Sequence, residues 1–331
     1  MQRIWKYKGI AIPLIILATV GAACFLGGPL WCERVRSDVI DAKLAQSAAD
    51  EGMDPSEYAR EMDKVDSQWR TLVDPVRAGE PPADGVPIAP RFSGGLYFLG
   101  SDAAGRDMLG RVLIGGRNSL LIALVAAVLT TVAGFGIGVV AGYFGGWIDE
   151  ALCRGLDLLW AFPVLLLGMA LSFALNDSTS AATHPLRDKV VATLVIAFVY
   201  VPYMARPVRA DVLSLREREY VKAAQVHGAS AFQVICSELL PHLRRKALGL
   251  FPLFFANAVQ LEAVFSFLGV GVQRPEPSWG NVIADGRDWI EVRPHVAVVP
   301  GLLLFMTTVS LVWLSDVLAA RGEGRAGRRR Q

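Results

Sequence analysis

The sequence is poor in charge and in the residues from which most active sites are built. Charged residues make up 19% of the 331, against roughly 25% in a soluble domain. Four cysteines, Cys24, Cys32, Cys153 and Cys236, have no paired spacing, so they read as packing residues, with no disulfide or metal indicated. His184, His227, His242 and His295 are scattered and form no metal-ligand spacing such as His-Glu-x-x-His. A Gly-x-x-x-x-Gly-Lys-Ser/Thr phosphate loop occurs nowhere, and no nucleophile stands with a base at catalytic spacing. A formal net charge of +2 argues against a nucleic-acid binder. What is abundant is apolar: 53% of residues, with a mean hydropathy of +0.39. That excludes disorder, and it replaces the two soluble domains that length alone suggests.

The apolar residues are gathered into runs. A bilayer core of about 30 Å needs about 20 residues of helix. Five stretches reach that length: Ile10–Leu30, Ser119–Gly142, Leu156–Leu175, Ala247–Leu268 and Val296–Leu318. A sixth, Val190–Met204, is short. None contains Lys or Arg, and their acids are Asp157 and Asp316 near ends and Glu262 deeper in.

Flanking charge sets the orientation. With six spans and the N-terminus inside, segments 1–9, 143–155, 205–246 and 319–331 are cytoplasmic and hold 17 Lys and Arg, eight of them in 205–246. The short outer loops 176–189 and 269–295 hold 2 and 3. Deleting the short span would put the eight-charge loop and the Arg-rich tail, Arg328–Arg330, on opposite sides. Six spans with both termini inside is therefore the expectation, and the tail reads as a positive-inside feature. The rival at the N-terminus is a cleaved signal segment ending near Gly21-Ala22-Ala23-Cys24.

Expected divisions are 1–30, an N-terminal segment with the first span; 31–118, an extracytoplasmic insertion; 119–318, a five-helix core; and 319–331, a basic tail. In the insertion, Asp54, Pro55 and Glu57 read as a helix start. Behind them Tyr58, Met62, Val65, Trp69 and Leu72 form one apolar stripe. It is either a docking face for an outer partner or a helix packed on its own protein or on lipid. Residues 74–95, rich in Pro and Gly, are an irregular connector. In the second span Ala126, Thr130, Gly134, Gly138 and Gly142 recur every fourth residue, a spacing that lets helix backbones approach closely. Gly136-x-Gly138-x-x-Ala141 imitates a dinucleotide fingerprint, but no strand precedes it. Pro163 and Pro202 are expected to kink their spans. Arg106, Asp107 and Arg111 precede the second span as an ion-pair cluster or a ligand site.

Loop 205–246 is the most patterned connection. Val208, Val212 and Leu215 start a helix expected to continue through Arg216-Glu217-Arg218-Glu219-Tyr220 to about Val226. Gly228 breaks it, and Ser230 can cap a second helix reaching Leu240 before Pro241. Such a hairpin suits pushing against another protein. The fold class that follows is an all-α integral membrane protein: six transmembrane helices, a cytoplasmic helix–Gly–helix hairpin and a partly helical outer insertion.

Lys222-Ala223-Ala224, three residues, Gly228, and then Leu240-Pro241 resemble the cytoplasmic Glu-Ala-Ala loop of binding-protein-dependent ABC importer permeases. Lys222 stands where that family has Glu, and Glu238 where it has Ile. Leu99–Asp107 with Gly116–Leu120, then Gly142–Asp149, then Glu262–Gly271 with Pro275-x-Pro277-Ser278-Trp279-Gly280, are similar to the dipeptide/oligopeptide/nickel branch. The resemblance covers roughly residues 97–318.

It implies a path for peptides shared with a homologous second permease, an extracytoplasmic substrate-binding protein, and two cytoplasmic ATPase subunits. Those ATPases, not this chain, would carry ATP and Mg. Glu219, Lys222, Ala223, Ala224, Gly228, Leu240 and Pro241 would form the ATPase-coupling element. Glu262, a carboxylate inside a span, either lines the substrate path or partners a gate or helix end. The competing class is a secondary transporter or channel that works without ATPases; few intramembrane charges and no inverted repeat stand against it.

Overall fold

The computed structural model describes residues 2–65, 76, 82, 85–91, 97–175 and 185–327. Trp69, Leu72, His184, Arg328–Arg330 and most of the connector 74–95 lie outside them. In chain order the helices are α1 (Gln2–Ala22), α2 (Gly28–Glu51), α3 (Pro55–Val65), α4 (Met108–Phe144), α5 (Gly146–Trp160), α6 (Val164–Leu175), α7 (Pro185–Arg216), α8 (Glu219–Val226), α9 (Ala231–Gln233), α10 (Leu240–Phe267), α11 (Trp279–Gly286) and α12 (His295–Gly327). The described residues contain no extended strand, only an isolated bridge between Ser101 and Asp107.

Five helical segments are long and apolar enough to cross a membrane: Ile10–Glu51, Met108–Phe144, Leu186–Arg216, Ala231–Phe267 and His295–Ala320. A sixth crossing is available if α5 and α6, bent by 91° at their junction, are taken as one span. The protein is therefore an all-α membrane protein of five to six spanning helices.

Several boundaries differ from the sequence reading, each for a local reason. The short run Val190–Met204 lies within the 32-residue α7; Arg, Lys and Asp at both ends shorten its hydropathy but not its helix. The first span does not end at Leu30. The helix resumes after a π-helical turn at Ala23–Gly27 and runs on to Glu51, where Gly52 in the left-handed region (φ 70°) stops it. The run Leu156–Leu175 is not one straight helix. It breaks at Ala161–Pro163 because proline has no N–H to give the preceding turn. Pro202, by contrast, sits inside continuous helix.

The chain forms two compact units: residues 1–17, 121–262 and 306–331, and residues 18–120 and 263–305. In the first, the core joins Val139, Met204, Val208, Val212, Val221, Val234, Leu239, Leu243 and Phe254. The small-residue stripe explains how α4 and α7 come so close. A Cβ at Gly134 would lie 2.6 Å from Met204 Cβ, one at Gly138 2.5 Å from the Ala205 carbonyl oxygen, and one at Gly142 2.8 Å from Val212 Cβ. Thr130 in the same stripe donates to the Ala197 carbonyl at 3.0 Å.

In the second unit, Tyr58, Ala59 and Met62 of α3 pack on Leu44 of α2. Tyr58 and Met62, the part of the stripe that is described, thus face their own chain. Asp54 caps α3 through the Ser56 amide at 2.8 Å, and the Ser56 hydrogen bonds hold its carboxyl below the usual range. Asp107 does the same for α4, accepting from the Gly110 amide at 2.7 Å. It also accepts from Trp31 Nε1 and the Tyr97 amide, while burial raises its pKa. The stretch Ser278-Trp279-Gly280 opens α11. Ser278 and Asn281 form a reciprocal cap, and fully buried Trp279 donates its indole N–H to the Val112 carbonyl at 3.0 Å. A Cβ on Gly280 would fall 2.1 Å from the Ala263 carbonyl oxygen, so only glycine fits.

Arg106 and Arg111 form an ion-pair cluster with Asp102 and Asp285, and Asp107, expected beside them, caps α4 instead. Arg106 reaches Asp102 at 2.7 Å and Asp285 at 3.0 Å; Arg111, with no exposed side chain, reaches Asp285 at 2.7 Å and also pairs with Asp102. Arg274 adds a third cation to Asp285. Removing one partner of a buried ion pair costs about 3–5 kcal/mol, because the remaining charge stays buried. Asp285→Leu should accordingly lower the midpoint of thermal unfolding of the purified complex by several degrees. Arg274→Leu, at a side chain that is 61% exposed, should leave it nearly unchanged.

Candidate functional site

The hairpin between α7 and α10 is built on a buried footing with an exposed tip. α7 ends at Arg216, and Arg218 adopts an extended conformation (φ −72°, ψ 145°) before α8 starts. The helix expected to run unbroken to Val226 is therefore interrupted at Glu217–Arg218. Glu217 binds Lys222 Nζ at 2.9 Å, and that cation holds its carboxyl below the usual range. Val221 is fully buried and anchors α8 to the core. The turn follows at Gly228, whose φ of 80° favours glycine. Ser230 caps the return helix in a reciprocal box with Gln233.

The return helix does not stop at Pro241. A π-helical turn at Val234–Leu239 leads directly into α10. Widening the turn shifts the hydrogen-bond register just ahead of the proline, so the ring displaces no regular bond there.

Of the residues assigned to this element from sequence, Glu219, Lys222, Ala223 and Gly228 are exposed, Ala224 and Pro241 are half-buried, and Leu240 is 39% exposed. Two residues the pattern does not mention dominate the tip: Val226, 86% exposed, and Phe232, 76% exposed. They sit in the unspecified positions around Gly228, and only the presence of large apolar side chains in a turn pointed to them. Between the two arms is a groove of about 650 Å³, lined among others by Ala224, His227, Gly228, Phe232 and Cys236. Behind it, Tyr220 stacks on His242 with ring centroids 5.7 Å apart.

The hairpin's root is tied to its surroundings by charge. Arg216 donates to the Tyr143 carbonyl at 3.1 Å, at the end of α4. Arg209 grips Asp149 of α5 through both Nε and Nη2. Lys246 of α10 reaches Asp211 of α7 at 2.7 Å. A stalk with a buried footing, ending in apolar knobs around a groove, can seat against a second protein and move with it. Glu262 lies far along α10 and is fully enclosed.

Residues 134–323 match the family described as "Binding-protein-dependent transport system inner membrane component". The chain belongs to this family. It is thus a permease subunit of a binding-protein-dependent importer, and the matched region contains the hairpin. Among relatives, a "Dipeptide transport system permease protein DppC" of Alkalihalophilus pseudofirmus is 33% identical over 222 residues, 67% of this chain and 70% of that one. A "Di/tripeptide transport system permease protein DppC" of Pseudomonas aeruginosa has the same identity and coverage. A "Glutathione transport system permease protein GsiD" of Pectobacterium atrosepticum is 32% identical over 222 residues. These permeases differ in the solute named and agree in the kind of system. The inner-membrane location follows from the same membership and agrees with the apolar helices.

Proposed function

We propose that this chain forms, with a homologous second permease, the path by which short peptides enter the cell. An outer binding protein delivers the peptide, and two ATPase subunits on the inner side hold ATP and Mg and drive the cycle. The chain itself is not catalytic. The observation that carries this reading is the α8–α9 hairpin, with Val226 and Phe232 exposed beside Gly228 on a buried footing. It supports docking into an ATPase groove, with Glu219, Lys222, Ala223, Ala224, Gly228, Leu240 and Pro241 at or beside the contact. The peptide assignment is supported by relatives of which two name di- or tripeptides and one names glutathione, itself a tripeptide.

Both termini are cytoplasmic in this reading, and the α2–α3 insertion faces outward. Lys222, where the family pattern has Glu, pairs within the hairpin to Glu217, so it shapes the hairpin before it meets the ATPase. Enclosure of Glu262 supports a helix-packing or gate role over direct contact with solute.

Co-expression with a homologous second permease, ATPases and a binding protein from the same organism, followed by reconstitution in vesicles, tests the reading. Labelled di- and tripeptides should accumulate only with ATP and binding protein present. Uptake that is indifferent to both would overturn it, and ATP-dependent uptake of nickel without peptides would overturn the solute.

A further inference from the structure

We propose that α5 (Gly146–Trp160) lies flat in the membrane surface, one flank in lipid and another in water, so that the sixth crossing begins at α6 and not at α5. The proposal rests on the membrane-protein reading above and adds a lipid-binding element to it.

The helix carries three different flanks. At about 100° per residue, Ile148, Leu152, Leu156 and Leu159 fall on one side; Leu156 is buried and the others are half-buried. That is the side turned to the protein. Glu150 and Asp157 form a second flank, exposed and charged, and exposed Arg154 stands at its border with the third. Trp147, Ala151 and Leu158 form a third, exposed and apolar, with Trp147 at 78% and Leu158 at 65% exposure. An upright helix would expose the charged flank to hydrocarbon over its whole length, which is costly. A helix wholly in water would expose a tryptophan and a leucine on one face for no return. Lying in the interface satisfies both flanks at once.

The bend of 91° to α6 gives the required geometry, since α6, uniformly apolar, enters the bilayer where α5 ends. Charge agrees as well. Glu150 pairs with Arg154 at 2.5 Å, Asp157 with Arg206, and Asp149 with Arg209, so α5 presents no net field and fits a zwitterionic headgroup layer. Arg206 also lies 3.6 Å over the Trp160 ring, and Tyr203 stands 5.2 Å from it. An aromatic pair topped by a cation is what an interface accommodates. Because Arg206 and Arg209 belong to α7, which leads into the hairpin, the lipid-anchored helix is also a lateral brace on the coupling element.

Spin-label depth measurements on the full complex in phosphatidylcholine vesicles decide the matter. Trp147→Cys, Glu150→Cys, Leu158→Cys and, as control on α4, Val128→Cys are made where Cys24, Cys32, Cys153 and Cys236 have been replaced by alanine and transport is retained. A flat α5 places labels at 147 and 158 at equal, shallow depth, about 5–10 Å into the boundary, with 150 in water and 128 deep. An upright α5 separates 147 from 158 by about 16 Å and overturns the proposal. Labels at 147 and 158 that neither oxygen nor an aqueous relaxant reaches would mean another chain covers them, which also overturns it. A water-exposed label at 128 would remove the span assignment itself, and the proposal with it.

Discussion

Gly138→Leu should leave almost no folded subunit in the membrane. The glycine's missing side chain is where α7 passes: a Cβ would sit 2.5 Å from the Ala205 carbonyl oxygen and 2.8 Å from Val208 Cβ. The first of these is backbone and cannot rotate away. Gly134 and Gly142, one turn to either side, meet Met204, Val212 and the backbone of α7 just as closely, so α4 cannot tilt to make room. Ordinary overpacking costs about 1–3 kcal/mol; displacing a backbone between two other fixed contacts costs at least the upper end. A loss of about 1–2 kcal/mol already lowers steady-state abundance several-fold, and this larger one leaves little folded subunit. Gly136→Leu supplies the control, because nothing lies within 4 Å of its Cβ position. Quantifying each variant in washed membranes should find Gly136→Leu near the wild-type level and Gly138→Leu nearly absent. Equal levels would mean that α4 and α7 are not in this contact.

The same contact shows what the sequence makes legible. Small residues at every fourth position identify a packing face from spacing alone, yet nothing in the spacing names α7 as the neighbour. Spans were legible for the same reason, since about 20 consecutive apolar residues have one cheap arrangement in lipid. Where polar residues extend a helix beyond its apolar run, as at both ends of α7 and from Leu30 to Glu51, hydropathy is silent and the boundary is missed. The break at Ala161–Pro163 was only half legible: Pro163 announced a kink, but its angle depends on the flanks of α5. In the hairpin, Gly228 and Ser230 are local signals and are read locally. The interruption at Glu217–Arg218 goes with the burial of Val221 in the core, a tertiary fact that no local pattern shows. Asp285 is the clearest omission. Its partner Arg111 is 174 residues away in sequence, and no local pattern joins them.

Replacing Val226 and Phe232 together with aspartate should abolish the stimulation of ATP hydrolysis by the loaded binding protein, while the permease still folds and its partner ATPases keep their own basal rate. Both side chains stand in solvent, 86% and 76% exposed, so the fold of the hairpin does not depend on them; its footing is Val221, Val234 and Leu239. Large apolar anchors at a protein contact are worth about 2 kcal/mol or more each. Losing one weakens docking about 30-fold, and a carboxylate in an apolar socket weakens it further. Stimulated hydrolysis should fall to the basal rate, and ATPase chains should co-purify poorly with a tagged permease. Gly228→Pro separates contact from geometry. Proline fixes φ near −65° where the turn needs 80°, so the two arms must reorient although both knobs remain. That variant should also lose stimulation. If the double aspartate variant fails and Gly228→Pro does not, the knobs suffice without a fixed turn. If both retain wild-type stimulation and co-purification, the hairpin is not the element through which the ATPases act, and the assignment of force transmission to residues 219–241 falls.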